Sequence, residues 1–97
     1  MRIIAKKTLR EFWERHPDAQ QALEGWYDDA KQATWSTPME IKRIYKNASI
    51  LPNNRVVFNI KGNTYRLVIA MNYDYGIAYI RFIGKHQDYD KIDAAII

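Results

Sequence analysis

Three runs rich in β-branched and aromatic residues, Arg55–Ile60, Thr64–Met71 and Ile77–Ile83, are separated only by Lys61-Gly62-Asn63 and Tyr73-Asp74-Tyr75-Gly76. Connections this short cannot cross over a sheet, so the runs must pair as an antiparallel meander. Turn geometry then decides which side chains share a face. With Gly62 and Asn63 central in the first turn, Asn59 lies opposite Arg66. With Asp74 and Tyr75 central in the second, Val68 faces Arg81, Arg66 faces Ile83, and both arginines share a side with Tyr79. Val56, Phe58, Ile60, Tyr65, Leu67, Ile69, Ala78, Ile80 and Phe82 would form the opposite, apolar face. The mixed face is expected to stay open and to bind.

Upstream of the meander, helical spacing takes over. Lys7–Arg15 places Leu9, Phe12 and Trp13 on one side and Arg10, Glu11 and Glu14 on the other. His16-Pro17-Asp18 is a break and restart, because proline suits a first helical turn. His16 itself reads as a surface or hydrogen-bonded residue. Ala22, Leu23, Trp26, Ala30 and Ala33 recur at helical spacing and predict a helix from Asp18 to Ala33 that covers the apolar sheet face. Ser36-Thr37-Pro38 opens a short third helix with Met39, Ile41, Ile44 and Tyr45 as apolar positions. Arg2–Ala5 reads as a short first strand and Asn47–Asn54 as an irregular loop. Tyr89–Ile97 is either a last half-helix or a loose end. The expected class is α+β: one domain over residues 1–97, with a strand and helices packed on one face of an antiparallel sheet.

Composition narrows the function classes. A chain of 97 residues has room for one modest core. It has no cysteine, which excludes a disulfide framework and a thiolate metal site and leaves nothing that points to secretion. No apolar run reaches the length of a membrane helix, and Met1–Lys7 is too short for a signal peptide, so a cytoplasmic protein with no membrane contact is expected. The net charge of +4 is unevenly placed: between residues 40 and 61, Lys42, Arg43, Lys46, Arg55 and Lys61 oppose Glu40 alone. Such a stretch reads either as a solvated face or as an electrostatic footprint for nucleic acid.

Arg66 and Arg81 are the charges that β-strands least require. Guanidinium groups present planar, bidentate donors suited to phosphate, and two on one face favour a phosphate-bearing ligand over two unrelated surface residues. His86 follows the last strand in Gly84-Lys85-His86-Gln87-Asp88-Tyr89-Asp90-Lys91. An imidazole can take and give a proton near neutral pH. Lys61, Lys85 and Lys91 are further cations for a developing phosphorane charge, and Tyr89 could stack on a base or donate a hydrogen bond. Asp88, Asp90 and Asp93 alternate as solvated or capping residues do and do not resemble a metal cluster. No glycine-rich phosphate loop, zinc spacing or Ser-His-Asp order is present, so no metal and no cofactor is expected.

Two stretches resemble a known family. Val56-Val57-Phe58-Asn59-Ile60-Lys61-Gly62-Asn63-Thr64-Tyr65-Arg66-Leu67-Val68 and Tyr79-Ile80-Arg81-Phe82-Ile83-Gly84-Lys85-His86-Gln87-Asp88-Tyr89-Asp90 are similar to the HigB toxins of type II toxin–antitoxin systems, within the RelE-like superfamily. The likeness extends more weakly through the helices. It implies a small RelE-like fold and an mRNA interferase that cleaves messenger RNA on the translating ribosome. The implied chemistry is metal-free attack by the substrate's 2′-hydroxyl. The implied partner is a helix-turn-helix antitoxin of the HigA type, giving a toxin–antitoxin hetero-oligomer. Under that resemblance Arg66 and Arg81 would clamp the scissile phosphate, and His86 would be the leading acid or base, with Lys61 as substitute. Tyr89 would orient the substrate, and Lys85 and Lys91 would grip backbone phosphates. Lys42, Arg43, Lys46 and Arg55 would contact ribosomal RNA, and Asn59 would join the binding face. The superfamily's lysines on the strand before Tyr-Arg-Leu-Val are replaced here by Val57 and Asn59, so the general base is open between His86 and Lys61.

Two other functions fit the same residues. One is a non-catalytic RNA- or ribosome-binding module. The other is a protein-interaction domain whose strand-borne arginines meet acidic side chains.

Overall fold

Glycine and asparagine in the connections let β-strands return on themselves, and an N-terminal half at helical spacing then covers one side. The structure, a computed structural model, describes residues 1–97. Its elements are β1 (Arg2–Ile4), α1 (Lys6–Arg15), a 3-10 turn at Pro17–Ala19, α2 (Gln20–Gln32), α3 (Pro38–Ile44), β2 (Ser49–Leu51), β3 (Arg55–Ile60), β4 (Tyr65–Asn72), β5 (Ile77–Lys85) and α4 (His86–Tyr89). The five strands form one sheet in the order β1-β5-β4-β3-β2. Only β1 runs parallel to its neighbour, with Arg2, Ile3 and Ile4 beside Ile77, Ala78 and Tyr79. No helix is long and apolar enough to cross a membrane.

The main core joins helices to sheet. Leu9, Phe12 and Trp13 of α1, Leu23, Trp26 and Ala30 of α2 and Ile41 of α3 meet Val56, Phe58, Ile60, Tyr65, Leu67 and Ile69. Trp26, Trp35 and Tyr45 surround the Phe58 ring, with centroids 5.4, 6.3 and 5.2 Å away. This is the face the alternation predicted. His16, expected as a surface or hydrogen-bonded residue, is half-buried and stacks on Phe12 at 4.4 Å instead. α3 opens at Ser36-Thr37-Pro38 as the sequence suggested, and Glu40 adds a cap that it did not: Glu40 Oε2 accepts from the backbone N–H groups of Ser36 and Thr37 at 2.7 and 2.8 Å. These bonds hold the Glu40 carboxyl below its usual range.

Three expectations need correction. The Asn47–Asn54 loop contains β2, whose Ser49, Ile50 and Leu51 pair with Val57, Val56 and Arg55. Asn53 and Asn54, both at positive φ, make the tight return to β3. The second hairpin closes as expected, with Asn72 opposite Ile77 and Ile69 opposite Ile80, but a bulge follows. Val68 then pairs with Phe82 and Arg66 with Gly84, so Arg81 is the extra residue without a partner. The bulge moves Phe82 from the core face to the arginine face and turns Ile83 toward the core opposite Leu67.

The third correction concerns the face expected to stay open. Val57, Val68 and Ala94 form a second, small core, flanked by Leu51, Phe82, Tyr89 and Ile97. Residues 90–97 therefore cross the arginine face as a strap rather than fraying. Asn53 Nδ2 donates to the Ala95 carbonyl at 2.8 Å, and Arg55 Nε donates to the Ile97 carbonyl at 2.8 Å.

Candidate functional site

The sheet face opposite the helices is built in three transverse rows. Asn59, Arg66 and Gly84 form the first, Val57, Val68 and Phe82 the second, and Arg55, Ala70 and Tyr79 the third. Arg81 bulges out between the last two. The middle row is apolar and lies beneath Ala94 of the strap, which is 6% exposed. The polar groups are thus separated into two ends.

At the first end, Arg66 Nη1 donates to the carbonyls of Asn63 and Tyr65 at 3.0 and 3.3 Å, which leaves Nε and Nη2 free. Asn59 Nδ2 donates to Asn63 Oδ1 at 3.2 Å. Gly84 opposite Arg66 is required by its neighbour: a Cβ there would lie 2.6 Å from the Phe82 ring that the bulge turned to this side. His86 begins α4, and its backbone N–H reaches the Thr64 carbonyl at 3.4 Å. It thus sits just past the end of β5, two residues on from the Gly84 that faces Arg66, while the Arg66 side chain is bonded to the β3–β4 turn. His86 Nδ1 lies 3.1 Å from Asp90 Oδ2, one helical turn on. A shallow depression of about 400 Å³ beside it is lined by Thr64, Tyr65, Lys85 and Gln87.

At the other end, Arg81 stands 5.4 Å over the Tyr79 ring. It lines an open groove of about 670 Å³ with Arg55, Asn53, Asn54, Asn72 and Tyr79. Neither Arg66 nor Arg81 pairs with a carboxylate, since the ion pairs are Lys7–Glu11, Lys61–Asp18 and His86–Asp90.

The remaining residues singled out from the sequence are dispersed. Lys61 sits in the β3–β4 turn and binds Asp18 at 2.8 Å, while the Tyr65 hydroxyl donates to the same carboxylate at 2.7 Å. These two bonds depress the Asp18 carboxyl, Lys61 contributing most, and raise the Tyr65 phenol. Lys61 is thereby drawn to the helical side, away from Arg66. Tyr89 lies against Phe82, its ring 6.4 Å away, in the small core. Lys42 donates to the carbonyls of Lys46 and Ala48 at 2.8 Å each and closes the end of α3. Arg43 and Lys46 are exposed on the helical layer, and Arg55 serves the strap on the opposite face. The basic stretch from Lys42 to Lys61 is thus divided between two faces and makes no single footprint. Lys85 and Lys91 are exposed at either end of α4.

Sequence reasoning missed Asp90, which it grouped with solvated carboxylates. Its i, i+4 spacing from His86 was the available signal, given that a helix starts at His86. It also missed the asparagines of the groove, which the β2–β3 turn and the end of β4 bring together.

Comparison with known proteins agrees with this architecture. The family model for HigB_toxin, the RelE-like toxic component of a toxin–antitoxin system, matches residues 19–92. A protein named mRNA interferase HigB from Escherichia coli O6:H1 is 28% identical over 94 residues, covering 95% of this chain and 91% of the relative. The mRNA interferase toxin HigB of Escherichia coli K12 is 24% identical over 96 residues, covering 97% and 92%. A Shigella flexneri protein named mRNA interferase HigB has the same identity and coverage. With the sheet, its bulge and the arginine face in place, the chain belongs to the HigB family of RelE-like toxins.

Proposed function

We propose that this chain is an mRNA interferase: an endoribonuclease that cuts messenger RNA on the translating ribosome and is silenced by a HigA-type antitoxin. The observation that carries the reading is a pair of guanidiniums on one sheet face, Arg66 and Arg81, with no carboxylate partner. Relatives that align over nearly the whole chain bear the name mRNA interferase, which supports it.

The reaction assigned to the site needs no cofactor. The substrate's 2′-oxygen attacks the adjacent phosphorus, the P–O2′ bond forms and the P–O5′ bond breaks, leaving a cyclic phosphate and a 5′-hydroxyl. His86 takes the 2′-hydroxyl proton, with Asp90 3.1 Å from its Nδ1, and the departing oxygen is protonated from solvent. Arg66 offers Nε and Nη2 to the charge that builds on phosphorus. Arg81 holds a neighbouring phosphate of the same strand, with Asn59, Lys85 and Lys91 along the path. Lys61 acts in structure, through Asp18, and Tyr89 acts by fixing α4 on Phe82.

Primer-extension mapping of transcripts after induction tests this. The native chain should produce new 5′ ends, and His86→Ala and Arg66→Ala should lower cleavage by about 10²- to 10⁴-fold. Intact transcripts with the native chain would refute the activity, and unchanged cleavage in both variants would refute the site. A non-catalytic RNA- or ribosome-binding module is the second reading. The strap that divides the two arginines favours it, and RNA binding with intact transcripts would select it.

A further inference from the structure

Five large apolar side chains of this chain are exposed, and two of them, Met39 and Ile44, share the short helix α3, whereas Ile50, Tyr75 and Ile96 stand singly elsewhere. Met39 and Ile44 of α3 are 63% and 64% exposed, whereas Ile41, between them in sequence, is fully buried against the core. Ile44 stands between two grooves. One, of about 340 Å³, includes Trp35 and Arg43, and the other, of about 300 Å³, includes Tyr45 and Lys46. Each groove therefore joins Ile44 to one cation, and neither cation forms an ion pair. Glu40, the only acid of α3, also lines the first groove, with its carboxylate turned back on the backbone of Ser36 and Thr37. This surface belongs to the helical layer, and its second groove runs to Asn59 and Gly62 at the β3–β4 edge without reaching Arg66 or Arg81.

Apolar anchors ringed by unpaired cations suit a protein segment that is itself apolar and acidic. Phosphate backbone would use the cations but leave both anchors in water. Family membership supplies a protein partner, since the chain is one component of a toxin–antitoxin system. We propose that the antitoxin docks here, laying an acidic amphipathic segment across α3 with apolar side chains in the two grooves beside Ile44. Neutralisation would then begin on the helical layer and extend to Asn59 at the edge of the RNA face, with Arg66 and Arg81 themselves uncovered by this contact. The inference rests on the toxin reading, but it is scored by binding, whereas that reading is scored by RNA cleavage.

The test uses the full chain and the purified antitoxin component of its own system, titrated calorimetrically. Ile44→Asp and Met39→Asp should each weaken binding at least tenfold, with RNA cleavage and growth arrest retained. Both positions face solvent, so circular dichroism should show a native fold. Should either aspartate variant misfold, Lys46→Glu at a fully exposed site decides: it should weaken binding and flatten its salt dependence. Native affinity in the folded variants would overturn the proposal. So would lost growth arrest with antitoxin binding intact, since that outcome assigns the surface to the ribosome or RNA instead.

Discussion

Arg66 and Arg81 rise from the same sheet face but lean apart along it. Arg66 reaches toward the β3–β4 turn carbonyls and Arg81 back over Tyr79, with the Val57–Val68–Phe82 row between them. The partner of Arg66, Gly84, lies three residues beyond Arg81, about 10 Å along the strand. Such an arrangement suits two phosphates of one strand better than a single clamped phosphate. It also gives the two residues separable roles.

Arg81→Ala should therefore weaken RNA binding and lower the salt slope of affinity by about one phosphate contact, with the cleavage rate at saturating RNA largely kept. Arg66→Ala should lower the saturated rate itself. Filter binding over a salt series and single-turnover cleavage separate the two. Equal losses of saturated rate would mean that both arginines close on the same phosphate.

Asp90 lies 3.1 Å from His86 Nδ1 without being buried: the two side chains are 59% and 51% exposed. Asp90→Asn should keep the fold and reduce cleavage roughly 10- to 100-fold, less than the ~10⁴ seen for a buried triad aspartate, because solvent screens the pair. A cleavage rate identical to that of the native chain would show that the contact does not serve the reaction.

Asp18 joins Lys61 and Tyr65 across the helix–sheet boundary. Its carboxyl is depressed in the folded chain, first by Lys61 and then by Tyr65. The sign follows: the contribution to stability is complete above the ordinary carboxylate range, near pH ~4, and is lost as pH falls through the lower folded value. Asp18→Asn should lower Tm slightly at neutral pH and remove part of the acid-side decline. Lys61→Met should likewise cost stability while leaving RNA cleavage close to native. A cleavage loss as large as that of His86→Ala would return Lys61 to the chemistry.

The sequence carried the core face and the first hairpin because both depend on local rules. Alternation along β3 and β4 set Asn59 opposite Arg66, and helical spacing placed Leu23 and Trp26 over Phe58. The bulge at Arg81 escaped, since an inserted residue leaves no mark in a strand that is apolar on both sides of it. β2 escaped because its three residues form a strand only by pairing with β3. The strap escaped for a related reason: Ala94 is unremarkable until the bulge brings Phe82 round to meet Tyr89. Long-range consequences of one local irregularity thus account for most of what changed at the candidate site.

The strap offers the last test. Ala94 packs against Val57 and Val68, and Asn53 and Arg55 hold the segment by the carbonyls of Ala95 and Ile97. Ala94→Asp would press a carboxylate into that small apolar cluster, so the strap should detach rather than bury the charge. Because the main core lies on the other face, the global cost should be only about 1–2 kcal/mol, read from denaturant unfolding. Hydrogen exchange should speed at the amides of Ala95 and Ile96, whose acceptors both belong to Asp93. Freeing the middle row would also join the two arginine ends, and RNA binding should tighten. Weaker binding in a folded Ala94→Asp chain would mean that the strap is itself part of the RNA surface.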